Sequence, residues 1–191
     1  MARRFPAALA DKTVLIVGYG AIGAAIEDRL APFELARVAR VARSRRTTAR
    51  GLVQPLTDLP ALLPEADVVI LSTPLTETTR GLVDAGFLRR MKDGALLVNV
   101  ARGPVVDTGA LLAELGTGRI TAALDVTDPE PLPPGHPLWQ APGVLISPPC
   151  RGPHVRVPAA RRAAARRPVA PLFLNHEPLR NVILTTGAAG A

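Results

Sequence analysis

One cysteine, one tryptophan and one tyrosine occur in the 191 residues of this chain. A single thiol, Cys150, excludes an intramolecular disulfide framework. Aromatic residues make up only 3%, so a core has to rest on the Val, Leu, Ile and Ala that dominate the 48% hydrophobic content. No apolar run approaches the ~18 residues of a membrane-spanning helix, and no membrane partner is expected. Asp11 and Lys12 interrupt any apolar stretch of the signal-peptide kind near the start, which points to a cytoplasmic protein. No internal repeat is visible.

Acids are missing from one segment. Residues 149–171 carry six arginines, five prolines and six alanines, and no Asp or Glu. Outside that segment 17 of the 23 basic residues face all 16 acids, a net of +1, so six of the seven net positive charges belong to the segment. No basic face runs through the fold, and no nucleic-acid partner is expected. The segment also lacks a helical apolar period and a capping signal. Arg-, Ala- and Pro-rich text without acids is what GC-rich coding DNA yields off frame. A reading-frame slip over 149–171 is therefore expected; an Arg-rich arm for polyanions is the alternative. Ordinary texture resumes at Leu172. Three regions follow: 1–148, 149–171 and 172–191.

What the chain does have is alternation. Thr13-Val14-Leu15-Ile16-Val17 is a short, β-branched, apolar run that reads as a buried parallel strand. A helical stretch follows to about Leu30. Further strands are expected at 36–41, 67–71, 95–100, 120–126 and 144–146. Asp84 can cap a helix through Arg90, with Lys92-Asp93-Gly94 as its stop. Asp107 or Thr108 can cap another to about Leu115, ended by Gly116 or Gly118. Strands alternating with short helices predict an α/β fold: a Rossmann-type, doubly wound parallel sheet in three layers.

Gly18-Tyr19-Gly20-Ala21-Ile22-Gly23 directly follows the first strand and opens the first helix. That context turns a common pattern into a dinucleotide fingerprint. Gly18 would make the tight turn. Gly20 would let the backbone approach a pyrophosphate. Gly23 would let helix and strand pack closely. The helix N-terminus supplies unpaired N–H groups for the phosphates. At the end of the second strand, an Asp or Glu would bind the ribose 2′-hydroxyl of NAD. Val41-Ala42-Arg43-Ser44-Arg45-Arg46 stands there instead. A forked guanidinium can hold a 2′-phosphate, so NADP is slightly favoured over NAD, through Arg43 with Ser44 or Arg45. A solvated basic loop is the other reading of those residues.

Two further blocks join the fingerprint. One is Ser72-Thr73-Pro74-Leu75-Thr76 through Thr79 and Gly81. The other runs from Asn99-Val100-Ala101-Arg102-Gly103 through Leu124-Asp125-Val126 to Asp128-Pro129-Glu130-Pro131. Together the three resemble the D-isomer-specific 2-hydroxyacid dehydrogenases, the family of phosphoglycerate and glyoxylate/hydroxypyruvate reductases. The resemblance covers about residues 8–148 and 172–187. It implies that Ala21 and Ile22 lie on the pyrophosphate, and Thr73 and Pro74 beside the adenosine side. Val100 and Ala101 would line the nicotinamide pocket, with Asp125 facing the carboxamide. Arg102 would bind the substrate carboxylate and polarise the keto group. Glu130 would pair with a catalytic histidine. A fixed guanidinium suits a carboxylate and developing negative charge, and a histidine near neutrality can move the proton. No metal is implied.

The resemblance breaks at one place. Where the family continues Ile-Ser-Pro with His, this chain reads Ser147-Pro148-Pro149. His154 and His136 are the nearby histidines, and surface roles are the default for both. The chain also begins about ten residues before the first cofactor strand, so most of the family's substrate domain is expected to be absent. Residues 172–191 would be that domain's C-terminal tail. The expected function is hydride transfer between a nicotinamide cofactor and a 2-keto/2-hydroxy acid, impaired here. The alternatives are a non-catalytic NAD(P)-binding module and an inactive truncated product. A homodimer is plausible from the family.

Overall fold

The computed structural model describes residues 8–147. The arginine-rich segment, Pro149, His154 and the 172–191 tail lie outside the described residues.

Eight strands form one sheet in the order β3-β4-β2-β1-β5-β6-β7-β8. β1 (Thr13–Val17), β2 (Arg37–Ala42), β4 (Gly51–Pro55), β5 (Val68–Leu71), β6 (Leu96–Asn99), β7 (Thr121–Leu124) and β8 (Val144–Ile146) run parallel. Only β3 (Arg46–Thr48) is antiparallel, at one edge. The order reverses at β1: the chain leaves it toward β2 and later returns to pair β5 on its other side.

β1 shows why the sheet needs two covered faces. Val14 to Val17 are each 0% exposed. Successive side chains of a strand point to opposite faces. Leu15 and Val17 enter one apolar cluster, with Leu59 and Leu62 of α2 (Leu59–Leu62), Phe87 and Leu88 of α3 (Ala85–Arg90) and Leu111 and Leu115 of α4 (Thr108–Thr117). Val14 and Ile16 enter the other, against Ala24, Ile26 and Leu30 of α1 (Ala21–Leu30). Burying each such side chain contributes roughly 1.5–3 kcal/mol. This is the three-layer, doubly wound sheet that the sequence predicts.

The helix boundaries follow local chemistry. Asp84 accepts a hydrogen bond from the Phe87 N–H at 2.7 Å and starts α3. Asp107 does the same from Ala110 at 2.9 Å and starts α4. Gly118, left-handed at φ 72°, ends α4. The six predicted strands appear within about two residues of their expected limits. The hairpin of β3 and β4, and the short α2, are additions that the sequence reading left unassigned. Their residues hide the pattern: β3 is Arg-Thr-Thr, and β4 begins with Gly51, ends with Pro55 and buries only Val53 fully.

Candidate functional site: a cofactor cleft at the strand ends

The register aligns the strands' carboxyl ends in one row. Val17 pairs with Val41 and Leu71, Leu71 with Asn99, Asn99 with Leu124, and Leu124 with Ile146. Most of the sequence-predicted site residues lie just beyond this row: Gly18 after β1, Arg43 after β2, Thr73 after β5, Val100 to Arg102 after β6, Asp125 after β7. In doubly wound sheets, ligands bind at this edge, where the strand order reverses.

The glycine loop has the shape its chemistry requires. Gly18 has φ +100°, and a Cβ there would sit 2.5 Å from the Thr73 backbone nitrogen. No side chain fits between those two loops. A Cβ on Gly23 would meet the Gly18 carbonyl at 3.1 Å and Ile16 at 3.2 Å, so helix α1 packs directly on β1. Gly20 has nothing within 4 Å of that position. It faces open space and is the N-cap of α1, with no side-chain cap and no acid in the first turn. Those unpaired N–H groups and the helix dipole suit an anion.

Two other observations mark the cleft as a place for a bound group. The Thr73 hydroxyl is buried and has no hydrogen-bond partner among the described residues, which is costly unless a ligand satisfies it. Ile22 and Val100 are exposed at 62% and 37%, apolar side chains left open on the loops expected to hold pyrophosphate and nicotinamide. The residues present therefore fit a dinucleotide.

The loops carrying these groups are braced. The Thr79 hydroxyl donates to the Pro74 carbonyl at 2.6 Å and accepts from the Thr76 N–H at 2.8 Å, holding the Thr73-Pro74 turn. Asn99 is 1% exposed. Its Oδ1 accepts from the Ala101 N–H at 3.0 Å, and its Nδ2 donates to the Arg102 carbonyl at 3.2 Å. Asn99 thus shapes the turn that presents Arg102. The sequence motifs alone assign Asn99 no part in the site. A polar residue closing a buried strand, ahead of a turn, was the available signal.

Arg102 is exposed, donates to the Ala101 carbonyl at 2.6 Å and forms no ion pair among the described residues. A carboxylate ligand would find its remaining donors open. The Asp125 and Glu130 side chains line a cleft of about 230 Å³ with Thr127, Trp139, Ile146 and Ser147. Arg102 is not in that lining. Gly103 ties the two segments together: a Cβ on it would lie 1.9 Å from the Thr127 carbonyl. Thr108 adds a hydrogen bond to the Asp128 carbonyl at 2.8 Å.

The basic turn divides its arginines. Arg43 and Ser44 are exposed and make no ion pair among the described residues. Arg45 points to Asp58 at 3.4 Å. Arg46, which the sequence reading did not single out, donates to the Tyr19 carbonyl in the glycine loop. With Thr48 and Arg50 it fronts a cleft of about 370 Å³ against Gly20 and Ala21. His136 accepts the Leu138 N–H on Nδ1 at 3.2 Å as a local cap. Among the described residues there is no cluster of metal-ligating side chains and no helix long and apolar enough to cross a membrane.

Residues 2–150 match the family model described as D-isomer specific 2-hydroxyacid dehydrogenase, NAD binding domain. The chain belongs to this family. It is 43% identical to the glyoxylate reductase of Thermofilum pendens, over 73% of this chain and 42% of that protein. A D-isomer specific 2-hydroxyacid dehydrogenase from Xanthobacter autotrophicus Py2, solved with NADPH and MES, is 34% identical with a TM-score of 0.71. That match covers 95% of this chain and 74% of the other. The phosphoglycerate dehydrogenase of Lactobacillus plantarum is 31% identical with a TM-score of 0.73, over 92% of this chain and 57% of the other. The chain spans less than half the length of the curated relatives it matches. The matched family model is that of an NAD-binding domain, and the cleft at the strand ends is the candidate place for that cofactor.

Proposed function

We propose that this chain is the cofactor-binding part of an NAD(P)-dependent 2-hydroxyacid oxidoreductase, preferring NADP, whose catalytic step is impaired. The observation that carries the reading is the glycine loop, with Gly20 open, Gly18 packed against the Thr73 backbone, and the Thr73 hydroxyl buried without a hydrogen-bond partner among the described residues. When bound, the nicotinamide supplies or accepts hydride. The chain's own residues do the rest. Gly20, Ala21 and Ile22 receive the pyrophosphate, and Thr73 and Pro74 flank the adenosine side. Val100 and Ala101 wall the nicotinamide, and Asp125 meets its carboxamide. Arg102 grips the carboxylate of a small 2-keto or 2-hydroxy acid.

The preference for NADP rests on charge. No acid ends β2; Arg43 and Ser44 follow it, with Arg46 nearby. Glu130 is the acid that would pair with a proton-carrying histidine, and Pro149 stands in that histidine's place. Losing a general acid costs typically about 10²–10⁴ in rate. The division into 1–148, an anomalous 149–171 and a tail from 172 belongs to the same reading, with a frame slip as its cause. So do a cytoplasmic location and a homodimer. Pro149 equally favours a second reading, a module that binds NAD(P) without turnover.

Calorimetry with NADPH and NADH tests the first part: tighter NADPH binding is expected, and tighter NADH binding overturns the NADP preference. Turnover of glyoxylate or hydroxypyruvate with NADPH tests the second. Substantial turnover would refute impairment, while binding without any turnover selects the module.

A further inference from the structure

Tyr19 occupies the position of the fingerprint where no particular side chain is called for, between Gly18 and Gly20. Every polar atom it has is engaged. Its N–H donates to the Val41 carbonyl at 2.8 Å, and its carbonyl accepts from the Arg46 guanidinium. Its hydroxyl donates to Glu27 Oε2 at 2.5 Å. Its ring, 4% exposed, lies under the Arg40 guanidinium at 5.7 Å from the centroid. Arg40 in turn forks onto Glu27, through Nε at 2.8 Å and through Nη2.

The network spans three elements. Tyr19 is in the loop, Glu27 on α1 and Arg40 on β2. The Arg40 and Glu27 side chains are each only 14% exposed. A pair this sheltered adds little net stability, because desolvation offsets much of the attraction. Its effect is geometric: it sets one shape for the loop. The hydrogen bond from Arg40 holds the Glu27 carboxyl below its ordinary range, ahead of the opposing push from burial, so the acid stays ionised and the fork intact at neutral pH. Gly20, one residue from this anchor, opens onto free space where a side chain would stand, and its N–H donates to the Gly18 carbonyl at 2.8 Å. Tyr19 thus anchors the loop immediately beside its open residue.

We propose that Tyr19, Glu27 and Arg40 are positioning residues for the cofactor pyrophosphate, locking the glycine loop so that the Gly20 backbone faces the phosphates. The inference rests on the dinucleotide reading above. The chemistry it serves is common to NAD and NADP, so the network acts on both alike.

Two variants of the full chain test it, Tyr19→Phe and Glu27→Gln. Tyr19→Phe keeps the ring under Arg40 and removes one hydrogen bond, so it is the variant that folds if the other does not. Cofactor Kd is measured for NADPH and NADH well below the thermal midpoint. Hydrogen exchange over residues 18–24 is measured in the cofactor-free protein. Tyr19→Phe is expected to raise both Kd values by the same factor, roughly 3- to 10-fold, the scale of one hydrogen bond. Exchange in the loop is expected to quicken. Unchanged Kd values with a lowered midpoint would show a mere structural brace and overturn the proposal. So would a rise for one cofactor only. If the unaltered chain binds neither cofactor, the dinucleotide reading itself falls, which is a different result from binding that ignores the variants.

Discussion

Asn99 and Glu27 show how much of this site depends on residues that touch no substrate. Asn99→Ala removes two hydrogen bonds at a fully enclosed position and leaves the Ala101 N–H without its partner. A loss of about 1–3 kcal/mol is expected for an unsatisfied buried group, read as a lower denaturant midpoint. Glu27 gives a pH dependence with a definite sign. Its folded pKa is depressed, by the Arg40 hydrogen bond first. The stability it contributes is then present above the unfolded value of about 4.3 and lost as pH falls through the lower folded value. Thermal midpoints of the unaltered chain should fall more steeply below about pH 4.3 than those of Glu27→Gln, whose amide does not titrate in that range. Parallel curves would remove Glu27 as a contributor. Both residues were in plain view in the sequence. The turn-closing part of Asn99 had a local signal, but that of Glu27 did not, since a single Glu carries no sign of what it faces across 13 residues of chain to Arg40.

Glycines and caps decide how the elements meet. Gly103→Ala would drive a methyl into the Thr127 carbonyl, where 1.9 Å is available, and no flexible side chain can yield. The turn bearing Arg102 and the loop bearing Glu130 must then separate. A loss of about 2–4 kcal/mol is expected by chemical denaturation, at the upper end of overpacking and well beyond a helix-propensity change. Asp107→Ala, by contrast, removes one cap from α4 and should cost only about 1 kcal/mol. If the two variants proved equally mild, the tight crossing at Gly103 would be wrong. The capping residues and glycine stops were legible because their chemistry is local. Gly103 stands next to Arg102 in the sequence, but only the crossing of two loops reveals why a side chain is forbidden there. The β3 and β4 hairpin was hidden for a related reason: its strands gain their pairing from β2 and from each other, not from their own composition.

Ligand binding should be visible in the stability of the fold. A cofactor at about 100 times its Kd stabilises a native protein by about 2.7 kcal/mol. A clear rise in thermal midpoint with NADPH is therefore expected, larger than with NADH at equal concentration. No rise with either would count against the cleft as a working site. Reading the coding DNA completes the picture: a His codon in a neighbouring frame near position 149 is expected, and one clean frame without it would remove the frame-slip account.

The family, the parallel sheet and the place of the cleft were all written in short-range text: a β-branched run, three spaced glycines, capped helices, an Arg and a Glu in register. Such signals depend on neighbours within a few positions, so the chain displays them unfolded. The anchoring of Tyr19, the crossing at Gly103 and the arrival of Arg46 at the glycine loop came only with folding. Each is a contact between residues far apart in sequence, and only packing brings such pairs to bonding distance.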